Sequence, residues 1–209
     1  MKKMKFPLVL SLLALSLLAA CTGNSSKQAA TETSAEKTAG VPVVVNTDQS
    51  VIQWKGEVLG VYSHEGTLNL KSASLEMAGD RVSGGSFVAD MTTMKATDEN
   101  YMPSEGRTPE KLVAHLSSPD FFDVPTWPEA SFVIGAVNGS TATGTLTIRG
   151  ISHEETVTDI KVTPVEGGKE ISGKLTFDRK KYNVSYDVSM KDMVLSNDIL
   201  LTISLFVAG

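Results

Sequence analysis

Three histidines, two of them followed by glutamate, are the first places in this chain where chemistry could reside. His64-Glu65 and His153-Glu154 both lack the second histidine, four residues on, that lets one helix face hold zinc. His115 stands apart from both, and Cys21 is the sole cysteine, so a metal site would have to be assembled by the fold from distant segments. Gly84-Gly85-Ser86 has the wrong spacing for a nucleophile elbow and opens a strand pattern instead of joining a strand to a helix. No glycine-rich phosphate cradle precedes a helix. What remains in quantity is apolar and aromatic, and binding is the task those residues can perform.

Each histidine also has a structural role to fill. His64 stands at a strand start and is expected to hydrogen-bond neighbouring backbone. His115 falls beside Leu112 and Leu116, so it should face partly inward and tie its segment to the loop at Asp120–Asp123. His153, among Ser152, Glu154 and Glu155, is expected in solvent. Arg179, at the end of an apolar alternation, reads as a surface residue or a carboxylate's partner. Phe121 and Phe122 are adjacent, and in extended chain they would point to opposite sides.

The elements that must position these residues are strands. After Val45 the apolar period is two: Ile52/Trp54, Leu68/Leu70, Phe87/Ala89/Met91, Phe132/Ile134/Ala136, Leu146/Ile148, Leu175/Phe177 and Ile199/Leu201/Ile203/Leu205. Turn residues separate them at Ala78-Gly79-Asp80, Asn138-Gly139-Ser140, Arg149-Gly150, Glu166-Gly167-Gly168 and Ser196-Asn197-Asp198. Short strands joined by tight turns predict an antiparallel all-β fold, a barrel or a sandwich. One segment departs from the pattern. Thr108 as N-cap and Pro109 in the first turn predict a short helix through Leu116, which Pro119 stops. A polar loop fills the span from Lys95 to Arg107.

The N-terminus reads differently. Lys2, Lys3 and Lys5 precede an apolar run, Leu8 to Leu18, too short to span a bilayer comfortably. Leu18-Ala19-Ala20-Cys21 resembles the bacterial lipobox, which predicts a signal peptide over 1–20 and a lipid (a palmitate-type acyl group) on Cys21. Residues 21–46 then read as a lipidated cysteine and disordered tether, since Ser, Thr, Ala, Gln, Lys and Glu dominate to about Gly40. Thr22, where inner-membrane lipoproteins carry aspartate, favours the outer membrane, facing the periplasm. Without residues 1–20 the 19 basic side chains fall to 16 against 24 acidic, a formal charge of −8. Such a chain is a poor match for nucleic acid or for anionic lipid heads.

Three neighbouring segments carry a family likeness: His115-Leu116-Ser117-Ser118-Pro119-Asp120-Phe121-Phe122-Asp123-Val124, Trp127-Pro128-Glu129-Ala130-Ser131-Phe132 and Gly144-Thr145-Leu146-Thr147-Ile148-Arg149-Gly150. With His64-Glu65-Gly66-Thr67-Leu68, the Gly84–Thr92 block and Asp178-Arg179-Lys180-Lys181-Tyr182-Asn183-Val184, they resemble the YceI-like family of bacterial envelope proteins. The resemblance implies a single antiparallel up-and-down lipocalin-like barrel of about eight strands with one short helix, over residues 47–207. It implies non-catalytic binding of a long isoprenoid lipid, a polyprenyl phosphate precursor or a quinone-like tail, for storage or transport in the envelope. No cofactor, metal or nucleic acid is called for, and the resemblance admits a dimer without settling the oligomeric state.

With period two assigning the inward face, Trp54, Phe87, Met91, Phe132, Leu146, Ile148, Phe177, Leu201 and Ile203 are expected to line the lumen. His115, Phe121 and Phe122 are expected at its mouth. A solid barrel that docks an envelope partner, with the same residues filling its core, is the alternative. An enzyme acting on lipid inside the cavity is a third reading.

Overall fold

Nine antiparallel strands and one α-helix account for most of the residues 40–187 and 193–209 that the computed structural model describes. The signal-peptide reading of residues 1–20, Cys21 and the tether up to residue 39 lie outside the described residues. The strands are β1 (Val41–Val43), β2 (Val45–Val58), β3 (Tyr62–Ala78), β4 (Arg81–Ala96), β5 (Glu129–Asn138), β6 (Thr141–Ile148), β7 (Ile151–Val165), β8 (Gly168–Asp178) and β9 (Asp198–Ala208). Each of β2 to β9 pairs with its neighbours in sequence, and β9 pairs back onto β2, closing an eight-stranded up-and-down barrel. Closure leaves no free sheet edge within the barrel. β1 adds three pairs along the far part of β3, from Val41↔Met77 to Val43↔Leu75. Strand therefore starts at Val41, inside the stretch 21–46 read as tether, because the run Val41-Pro42-Val43 finds a partner there.

The tight turns are built by the residues that announced them. Arg149 (φ 52°) and Gly150 (φ 71°) both take left-handed conformations, the two-residue turn whose twist matches a hairpin, and Ile148 faces Ile151 across it. Gly79, Gly139 and Gly167 take positive φ at the opposite end of the barrel.

Bulges interrupt the period. Between Asn46 and Val51 the register with β9 shifts. Asn46 Oδ1 accepts from the Asp48 and Gln49 amides, and buried Ser50 spans the gap, donating to Asn46 O at 2.6 Å and accepting from Phe206 N at 2.9 Å. The bulge moves the inward face from Val45 to the even residues Ser50 and Ile52. A second shift falls at Gly135, between Ile134 and Ala136. Ala136 is consequently exposed and Val137 packs on the core, against the alternation read from the sequence.

The end of the barrel where β4 leaves and β5 enters carries the irregular structure. Helix α1 (Pro109–Ser117) packs on β4, with Thr108 Oγ1 accepting from Lys111 N and Pro109 in the first turn, as the sequence predicts. In the polar loop before it, Met102 and Arg107 bridge around a single 3₁₀ turn at Pro103–Glu105. Between β8 and β9 the described chain has one 3₁₀ turn, Arg179–Tyr182, and otherwise irregular backbone.

Candidate functional site

At that loop-bearing end the barrel encloses a cavity of about 320 Å³, at the lower end of the range for small-molecule pockets. Phe132, Leu146, Ile148, Phe177 and Met91 are buried in its wall; Trp54, Phe87, Leu201 and Ile203 line it half-buried. The nine residues assigned to the inward face thus surround one space. Two of the aromatic rings sit where a glycine lets them. A Cβ on Gly66, across from Trp54, would stand 2.4 Å from the indole, and one on Gly144 would stand 2.6 Å from the Phe132 ring.

Phe87 and Phe132 form the floor. Their rings stack with centroids 6.0 Å apart and planes 4° from parallel. Both also line a second void of only about 30 Å³ deeper in the barrel, beside Leu75, Val82 and Ile171.

His115, Phe121 and Phe122 close over the cavity together with Leu112 and Leu116. The two phenylalanines do not point to opposite sides. The chain turns here instead of running extended, with Asp123 at φ 49° and Phe122 N donating to Leu116 O, so the rings meet edge-on at 4.9 Å. His115 does contact the loop through Phe121, but its nearer partner is Tyr186, 4.5 Å away and edge-on. Its Nε2 is buried with no hydrogen-bond partner among the described residues. Arg149, from the β6–β7 turn, fastens this loop by donating to Phe121 O and, at 2.7 Å, to Asn183 O.

Across the mouth, His64 belongs to a network the sequence did not announce. Its Nδ1 lies 3.0 Å from Asp98 Oδ1, a carboxylate with an 8% exposed side chain, so its partner is a side chain and not the expected backbone. Asp98 also accepts from Glu65 N (3.0 Å), Asn100 N (2.9 Å) and the Tyr101 hydroxyl (2.9 Å). Burial pushes the Asp98 carboxyl up, but these donors outweigh it and hold it below its ordinary value. Tyr101 is pushed up, first by burial and then by Asp98. The His64 ring stacks on Tyr101 at 5.0 Å and lines the cavity beside Tyr62.

Arg179 is a carboxylate's partner, through Asp187, but not a surface residue, for it is completely buried. Nε donates to Ser196 O (3.0 Å), Nη1 to Val184 O and Tyr186 O (2.7 Å each) and Nη2 to Asp187 (3.2 Å). Those carbonyls belong to the irregular segment that brings Tyr186 and Leu195 to the cavity wall. His153, expected in solvent, is half-buried, its Nε2 3.0 Å from Lys181 O and its ring edge-on to Tyr182.

A closed eight-stranded up-and-down barrel with one short helix is the arrangement the family likeness implied, and sequence comparison decides the matter. The YceI-like domain profile matches residues 44–207. The chain belongs to the YceI-like domain family. A UPF0312 protein of Staphylococcus epidermidis is 30% identical to this YceI-like chain over 155 residues, 70% of this chain and 85% of its own. One from Staphylococcus aureus is 30% identical over 121 residues, 54% of this chain and 70% of its own. Among solved structures, BcnA of Burkholderia cenocepacia superimposes with a TM-score of 0.60 at 21% identity, covering 78% of this chain and 99% of its own. A polyisoprenoid binding domain from Saccharophagus degradans implicated in plant cell wall breakdown superimposes with a TM-score of 0.50 at 10% identity, covering 81% and 99%. At these identities the two structures establish the shared YceI-like fold.

Proposed function

We propose that the domain takes the tail of an isoprenoid lipid into its barrel without chemical change, for storage or transport in the cell envelope. The observation that carries the reading is the cavity itself: about 320 Å³ of hydrocarbon-walled space beneath α1, where a solid barrel would be filled by side chains. The Saccharophagus relative, described as polyisoprenoid binding, supports the ligand class.

A carbon with its hydrogens takes up about as much volume as a water in the liquid, roughly 30 Å³, so the space admits about ten carbons, or two isoprene units. Burying them contributes about 8 kcal/mol at about 0.8 per methylene. Ordering and confining the tail offsets several of those. A longer tail has to displace the Phe87–Phe132 floor or leave through the mouth.

Trp54 supplies a reporter, because the chain has two tryptophans and the other, Trp127, is 41% exposed over the Arg149–Gly150 turn. In a Trp127→Phe protein, titration with a prenyl alcohol is expected to shift and quench Trp54 emission saturably. Absence of any saturable change with isoprenoid tails of two to four units contradicts the reading.

The envelope placement belongs to the same proposal, with lipidated Cys21 as the anchor to the outer membrane on its periplasmic side. Two anchoring signals or several acyl chains hold stably where one is marginal. Cys21→Ser is expected to move the protein from the detergent to the aqueous phase on phase separation. Equal partition of mutant and wild type contradicts the anchor.

A further inference from the structure

The polar fringe of the cavity restricts the head of whatever lipid enters it. Among the described residues the wall contains neither lysine nor arginine; its ionisable members are Glu57, Tyr62, His64, His115 and Tyr186. A phosphate head carries full negative charge and is ordinarily met by guanidinium, ammonium or converging backbone N–H groups. Here the nearest charges have the opposite character. Glu57 is an exposed carboxylate on the rim, paired in register beside His64 through Gly56. Asp98 stands directly behind the His64 ring.

Of the cations close in sequence to this rim, Lys55 pairs with Glu65 at 2.7 Å and Arg107 with Glu105 at 2.8 Å, while Lys111 is exposed on α1 and is not part of the cavity wall. Lys191 and Asp192 lie outside the described residues and offset each other in formal charge. His64 itself offers one directed hydrogen bond. With Nδ1–H committed to Asp98, Nε2 is the remaining polar atom of this wall residue's ring, and it has no protein partner among the described residues. A neutral ring accepts there and an imidazolium donates, so a hydroxyl or a carbonyl is served without any charge on the ligand.

We propose that the isoprenoid taken up here carries an uncharged hydroxyl or carbonyl head held by His64 Nε2, and that phosphorylated isoprenoids are disfavoured at this mouth. The proposal rests on the tail-binding reading above and selects between the ligand classes that reading leaves open.

Three ten-carbon probes share one tail length and differ at the head: geraniol, geranyl diphosphate and the hydrocarbon myrcene. Their affinities are measured on the full chain carrying Trp127→Phe. Geraniol is expected to bind at least tenfold more tightly than geranyl diphosphate. His64→Phe keeps a ring against Tyr101 and is expected to weaken geraniol about threefold to tenfold, the size of one net hydrogen bond, while leaving myrcene unchanged. Glu57→Lys, at an exposed position that does not challenge folding, is expected to strengthen geranyl diphosphate. Geranyl diphosphate binding as tightly as geraniol in the parent protein overturns the proposal and leaves tail binding intact. Unchanged geraniol affinity in a folded His64→Phe protein overturns the role of His64. If all three probes fail to bind, the tail-binding reading falls and this proposal with it.

Discussion

Asp98 illustrates how much a single buried carboxylate organises at the rim. Its two oxygens receive two backbone amides, a tyrosine hydroxyl and an imidazole, so the loop from Thr97 to Tyr101 is fastened to the start of β3 by one side chain. Because its folded pKa lies below the ordinary carboxylate value, the ionised form stabilises the fold. That contribution is complete above the unfolded-chain pKa, about 3.9, and is lost as pH falls through the depressed folded value. Asp98→Asn is therefore expected to cost about 2–3 kcal/mol at neutral pH and to flatten the stability profile on the acid side. Urea midpoints measured from pH 7 down to 3 check this; parallel profiles for the two proteins contradict it. Phe132 tests the cavity floor at the same scale. In a filled core, Phe132→Ala costs about 3–5 kcal/mol. Beside existing space the loss is expected to be smaller. The substitution also joins the 320 Å³ and 30 Å³ voids, so preference is expected to move toward longer tails. Denaturation of delipidated protein, with a chain-length series of prenyl alcohols, reads both effects. A full 3–5 kcal/mol loss with unchanged chain-length preference favours a solid, partner-docking barrel.

At the scale of elements, the described chain between β8 and β9 is irregular apart from one 3₁₀ turn and the bridge of Leu195 to Val58, and Arg179 ties its backbone together. Its guanidinium is wholly buried, gathers the carbonyls of Val184, Tyr186 and Ser196 and reaches the exposed Asp187 carboxylate, so removing it leaves those carbonyls without that donor. Arg179→Met keeps most of the stem volume and is expected to cost about 3 kcal/mol. Hydrogen exchange is expected to quicken around Val184–Tyr186 and Val194–Ser196, and the tail affinity to fall with it. Unchanged exchange there contradicts the stapling role. A carboxylate partner for this arginine was legible in the sequence; its burial and its three carbonyl acceptors were not, because they come from chain without a periodic pattern. The strands themselves were legible wherever apolar and polar residues alternate without interruption, as in β6 and β8, and so were the glycine turns and the Thr108-Pro109 helix start. Bulges set the limit. Beyond Met91 the inward face shifts, where Thr92 N and Thr93 Oγ1 bond back to Asp90, and Met94 joins the wall unannounced. Val137 replaces Ala136 for the same reason at Gly135. Tyr186 and Leu195 line the cavity from chain with no periodicity, which pattern reading could not place. Period two alone left barrel and sandwich open; the family likeness separated them.

The described chain, residues 40–187 and 193–209, is a barrel with two unlike ends. One is closed by two-residue turns at Gly79, Gly139 and Gly167 over a packed core that includes Leu75, Val82 and Val207. The other is covered by α1, the Phe121–Phe122 loop, the described part of the Arg179-stapled segment and the β2–β3 hairpin, and among these described residues none fills the space beneath. Eight strands give an interior just wide enough either to be filled by side chains or to hold one small ligand, and this barrel divides its length between the two. Its central property is therefore occupancy: the upper half should hold a lipid and the lower half its own side chains. Native mass spectrometry of protein purified from its native host cells, followed by organic extraction, measures that directly. The account predicts an isoprenoid close to one per chain, with an uncharged head and no chemical alteration. Protein that arrives empty, and that takes up no prenyl alcohol when it is supplied, would contradict it.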